Sequence, residues 1–110
     1  MSYGTTVQHE LHGLHRDLRH AIPEVYEGYR QLHDAALATG ALDAKTKELI
    51  ALAIAVSKEC DGCIAAHAHG AAQRGATEQE VAEAVGVAIL MNGGPGTVFG
   101  ARAFAAFREF

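Results

Sequence analysis

Eight consecutive apolar residues near the middle of the chain, Leu49-Ile50-Ala51-Leu52-Ala53-Ile54-Ala55-Val56, constrain the fold more than any other stretch. Wound as a helix they leave no polar face, and a helix that is apolar all round is stable only when other elements cover it. The run is far shorter than the roughly 20 residues that cross a bilayer, so the cover must be protein. Asp43 is placed to cap this helix, expected over residues 44–58, and the rest of the chain has to be arranged around it as a central element.

The remainder supplies helices and nothing else, since no run alternates apolar with polar residues for long enough to make a strand. A first helix, expected over residues 6–20, carries Val7, Leu11, Leu14 and Leu18 on one face and suits packing against another helix. Pro23 ends or kinks it, and a second, over residues 24–39, stops at Gly40, which accepts the left-handed C-cap conformation. A fourth begins around Cys60-Asp61-Gly62-Cys63, where Asp61 and Gly62 suit a cap or turn, and ends at Gly75. Thr77-Glu78-Gln79-Glu80 is a capping box that opens a fifth. Gly93-Gly94-Pro95-Gly96 breaks the chain again, and a sixth helix over residues 97–109 sets Phe99, Phe104, Phe107 and Phe110 along an apolar surface. The expected fold is an all-α, single-domain bundle of six helices over residues 1–110. A unit of this size buries about two thirds of its unfolded surface, which leaves apolar helix area over and predicts a homo-oligomer.

The net charge of −4, with no cluster of Lys and Arg, argues against a nucleic-acid surface and against a polybasic membrane anchor. No basic segment followed by an apolar stretch opens the chain, so a soluble, cytoplasmic protein is expected. In a reducing compartment the only two cysteines, Cys60 and Cys63, fit redox cycling or catalysis better than a structural staple. As Cys-x-x-Cys they are spaced to exchange electrons. A thiol reacts as thiolate, which the unpaired amides and positive dipole end of a helix start favour. Cys63 falls near such a start, with His67 one turn below on the same face. Cys60, beside Glu59 and Asp61, is expected to be the poorer thiolate and the more exposed sulfur, open to an external reductant.

The connection between the third and fourth helices is short enough to make an antiparallel hairpin bent near Glu59. On that register the partner of Glu48 lies near position 70, within about one turn of His67. A carboxylate on so apolar a helix requires a hydrogen-bonding partner, and His67 is the one in reach. Glu48 would then hold the imidazole that serves Cys63, with Cys60 able to close a disulfide. Other patterns carry no chemistry. Cys60, Cys63 and His67 lack a fourth zinc ligand, so no metal is expected. His9, His12, His15, His20 and His33 drift around their helices and read as surface. Gly93-Gly94-Pro95-Gly96 follows no strand and precedes no Gly-Lys-Ser or Gly-Lys-Thr, so it is no phosphate loop.

Glu48, eleven residues, Cys60, two residues, Cys63, three residues and His67 together resemble the active-site signature of AhpD-like alkylhydroperoxidases, within the carboxymuconolactone decarboxylase superfamily. The flanks are similar as well, from Gly40-Ala41-Leu42-Asp43 through Lys47-Glu48-Leu49-Ile50, Gly75-Ala76-Thr77 and Ala88-Ile89-Leu90-Met91. The resemblance implies a helical bundle assembled into trimers or hexamers, and reduction of hydrogen peroxide or an organic hydroperoxide. It implies that Cys63 is peroxidatic, Cys60 resolving, His67 the base and Glu48 its partner. It further implies no cofactor, and a dithiol reductant of lipoyl or thioredoxin-like type. Gly62 stands where the best-known alkylhydroperoxidases carry a histidine, which implies a shorter or weaker proton relay here. The alternatives are a thiol-disulfide oxidoreductase or redox sensor, a lyase like the superfamily's lactone decarboxylases, and an oligomeric scaffold with a decayed site.

Overall fold

A computed structural model describes residues 2–110. Among the described residues the chain forms six helices and no strand: α1 Tyr3–Ala21, α2 Pro23–Leu37, α3 Ala44–Ser57, α4 Asp61–Gln73, α5 Glu78–Asn92 and α6 Gly94–Phe107. The core lies where α3, α4, α5 and α6 pack on one another. Leu52 and Val56 of α3, Ile64 of α4 and Val81 of α5 are its largest fully buried side chains, and alanines fill most of the remainder. Small residues permit close approach: a Cβ added at Gly100 of α6 would lie 2.6 Å from Val85 Cγ1, and one at Gly96 3.0 Å from Ile89 Cα.

Local side-chain caps open α3 and α5 at the residues expected. The Asp43 carboxylate accepts the Thr46 amide at the start of α3, and Thr77 and Glu80 form a reciprocal capping box on α5. Glu59, with φ 53°, turns the chain between α3 and α4, at the bend expected from the hairpin. Three boundaries differ from expectation. The α6 helix begins at Gly94, because Gly93 (φ 68°) makes the break alone and Pro95 occupies the first turn, where no N–H is needed. The α2 helix stops at Leu37 with Ala38 extended, before Gly40 is reached. The α1 helix starts at Tyr3 because Glu109, from the far end of the chain, accepts the Gly4 and Thr5 amides at 2.8 and 2.9 Å.

The first two helices do not complete the bundle as their patterns suggested. The first part of α1 lies on α4 and α6, with Val7 and Leu11 partly buried, but Leu14 and Leu18 are exposed. No residue of α2 is buried. The α1–α2 hairpin therefore projects, and the radius of gyration of 14.0 Å exceeds the about 13 Å of a compact chain of this length. Nor is α3 covered all round, since Ile50 and Ile54 stay exposed. On α5, Leu90 and Met91 are 79 % and 77 % exposed. The excess apolar surface expected from the sequence is present, and it includes part of the helix expected to be central.

Candidate active site

Because α3 and α4 form the hairpin expected, Glu48 and His67 meet across it: His67 Nδ1 lies 2.8 Å from Glu48 Oε2. Glu48 is the one buried charged residue among those described, 7 % exposed, so its carboxylate has little water to turn to. Accepting the Nδ1–H fixes the ring's orientation and leaves Nε2 as the nitrogen that can take or return a proton.

The contact depends on a glycine that the sequence reading passed over. A Cβ at Gly70, one turn beyond His67 on α4, would lie 2.6 Å from Cδ, Oε1 and Oε2 of Glu48. The carboxylate thus occupies the space of the missing side chain. Gly70 stands at the position the hairpin register assigned to the partner of Glu48, and that coincidence was the available signal.

Cys60 and Cys63 are joined by a disulfide with Cα atoms 5.2 Å apart, so both sulfurs converge at the start of α4. The local cap differs from expectation. Cys60, not Asp61, is the N-cap residue, and its Sγ accepts the Cys63 amide at 3.2 Å, while Asp61 opens the helix. Exposure is also reversed, with Cys63 exposed and Cys60 half-buried. The reason is the cap: a residue whose side chain folds back over the first turn is partly covered by it. Cys63 is thus the more exposed residue of the pair. His67 follows on the same helix about 6 Å along the axis, one turn away.

Two further contacts frame the site. The His33 ring of α2 stacks on that of His67, with centroids 6.2 Å apart and planes inclined by 20°. His33 is nonetheless a surface residue as expected, its side chain 43 % exposed. Leu11 of α1 lies over the first turn of α4, where a Cβ at Gly62 would come within 2.8 Å of its Cδ1. Among the described residues no group of three or more His, Cys, Asp or Glu side chains could hold a metal ion, so His9, His12, His15, His20 and His33 assemble no ligand set. No helix among the described residues is long and apolar enough to cross a membrane.

Comparison with known proteins finds relatives in sequence and in fold. The sequence profile of the carboxymuconolactone decarboxylase family matches residues 23–107. An uncharacterized protein of Cupriavidus necator is 39 % identical over 90 residues, 82 % of this chain and 80 % of the relative. The uncharacterized protein 4 in the cox locus of Paracoccus denitrificans is 37 % identical over 83 residues, covering 76 % and 75 % of the two chains. The crystal structure of an apo carboxymuconolactone decarboxylase family protein from Legionella pneumophila superposes with a TM-score of 0.93 at 40 % identity, covering 97 % of this chain and 96 % of that one. A Thermotoga maritima crystal structure gives 0.74 at 30 % identity, covering 86 % and 88 %.

Proposed function

We propose, since the chain belongs to the carboxymuconolactone decarboxylase family, that it is a thiol peroxidase that reduces hydrogen peroxide or an organic hydroperoxide through Cys60 and Cys63. One observation carries the reading: a disulfide-forming pair at the start of α4 lies one turn from an imidazole held by a buried carboxylate. In the reduced protein His67 takes the Cys63 proton at Nε2. The thiolate attacks one peroxide oxygen, the O–O bond breaks, and the leaving oxygen takes the proton back from His67 as water or alcohol. Cys63 is left as a sulfenic acid. The Cys60 thiolate attacks that sulfur, hydroxide leaves and is protonated to water, and the disulfide forms. An external dithiol, of lipoyl or thioredoxin-like type, attacks the sulfur of Cys63, the more exposed residue of the pair, and expels Cys60 as thiolate. The Cys63 amide on the Cys60 sulfur favours that departure.

Single-turnover oxidation of the reduced protein tests the reading. One equivalent of hydroperoxide should be consumed and two thiols lost per chain, far faster than with free cysteine. Oxidation no faster than free thiol would defeat it. The exposed position of Cys63 favours one second reading, a thiol-disulfide oxidoreductase. Faster exchange with a disulfide substrate than reaction with any hydroperoxide would select it. The exposed apolar residues of α1, α2, α3 and α5 support a homo-oligomer, a trimer or hexamer. Light scattering at micromolar concentration should give a multiple of 11.6 kDa, and a monomer would refute this.

A further inference from the structure

Asp61 lies between the two cysteines, at the first position of α4, where its negative charge opposes a thiolate two residues on. It is not left free. The Tyr3 hydroxyl of α1 donates to Asp61 Oδ1 at 2.5 Å, and Arg102 Nη1 of α6 lies 3.9 Å from the same oxygen. Arg102 is itself held over the Phe99 ring, with its guanidinium carbon 4.8 Å from the centroid, and stands 5.9 Å from the Tyr3 ring. Two helices distant in sequence thus converge on the one acidic residue inside the Cys-x-x-Cys. We infer that Tyr3 and Arg102 form a clamp on Asp61 that withdraws its charge from the start of α4 and so sets the thiolate population and redox poise of the cysteine pair.

Burial, and next the hydrogen bond to Asp61, push the Tyr3 hydroxyl well above the ordinary phenol range, so it stays a donor throughout the working pH range. Arg102 is always charged. The clamp is therefore a constant bias, in place at every pH at which the thiol titrates. Other ionisable groups near the start of α4 include Lys58 and Glu59 at the bend, His67 one turn below and Glu109, which acts on Tyr3 across the α1 start. None of these is within hydrogen-bonding distance of Asp61. Tyr3 and Arg102 are positioning residues on this account, since they act through Asp61. The inference rests on the thiol chemistry of the site but not on peroxide as the oxidant.

The test is titration of the Cys63 thiolate by its absorbance at 240 nm in the Cys60→Ser chain, repeated as the pH dependence of iodoacetamide alkylation in the reduced full chain. Tyr3→Phe and Arg102→Gln should each raise the thiol midpoint by about half a pH unit, the scale for a half-exposed charge a few ångströms distant. Arg102→Lys should restore most of the loss. Asp61→Asn should lower the midpoint, and in that background Tyr3→Phe and Arg102→Gln should shift nothing further. With the thiols less readily ionised, the disulfide of Arg102→Gln should also be harder to reduce against glutathione. Midpoints unmoved by Tyr3→Phe and Arg102→Gln, or moved equally with Asn at 61, would overturn the inference. Neither readout uses peroxide. Inert behaviour towards hydroperoxides with the predicted shifts intact would therefore count against the proposed activity alone.

Discussion

Gly70→Ala adds one methyl group at the point where Glu48 meets His67, and its consequence follows from the distances. The new Cβ would lie 2.6 Å from the carboxyl atoms of Glu48, and ordinary contact begins near 3.4 Å. The carboxylate, as the movable end of its side chain, must withdraw by about 0.8 Å. That is enough to carry the 2.8 Å bond to His67 to the edge of hydrogen bonding. A hydrogen bond to a charged group is worth about 1.5–3 kcal/mol, and Gly→Ala within a helix returns about 1 kcal/mol. The net expectation is destabilisation by about 0.5–2 kcal/mol. Positioned proton transfer contributes about 100-fold or more, so releasing the imidazole should slow Cys63 oxidation by about 10- to 100-fold. Gly86→Ala in α5 is the control, because its Cβ would meet nothing within 4 Å. It should stabilise by up to about 1 kcal/mol and leave the rate unchanged. Urea unfolding and stopped-flow oxidation of both variants check this. If Gly70→Ala behaves like Gly86→Ala, the carboxylate does not depend on that space and the reasoning fails.

Two other outcomes are expected. Glu48→Gln and His67→Ala should both slow thiol oxidation, the histidine change more, and the double mutant should fall short of the product of the single losses; a full product would mean that Glu48 does not work through His67. Burial pushes the Glu109 carboxyl up, but the Thr5 and Gly4 amides and the Thr5 hydroxyl outweigh this and hold its folded pKa below the ordinary value. Its stabilising contribution is therefore complete above about pH 4.3 and lost as pH falls through the folded pKa. Urea midpoints of wild type and Glu109→Gln should accordingly converge as pH falls below 4, and a constant gap would contradict the assignment.

How much of this was legible in the sequence depends on how local the cause was. The capping box at Thr77, the bend at Glu59 and the six helices follow from residues within a few positions of each feature. The Glu48–His67 contact was legible because a short connection fixes which residues of two successive helices face each other. What escaped came from elsewhere in the chain. Glu109 starts α1 from the other end of the molecule, and His33 reaches His67 only through the path of α2. Leu14 and Leu18 carry a packing pattern whose partner the single chain does not supply. The cap of α4 differs from expectation because cysteine is not an ordinary N-cap residue.

The assignment of Cys63 as the sulfur that meets peroxide is tested most directly by mass spectrometry of the two single-cysteine variants, each treated with one equivalent of hydroperoxide in the presence of dimedone. Cys60→Ser should consume about one equivalent and carry the adduct on Cys63, since no second thiol is near to resolve the sulfenic acid. Cys63→Ser should react slowly, its remaining cysteine being the half-buried N-cap residue. Rapid adduct formation on Cys60 in Cys63→Ser, with none on Cys63 in Cys60→Ser, would contradict the account.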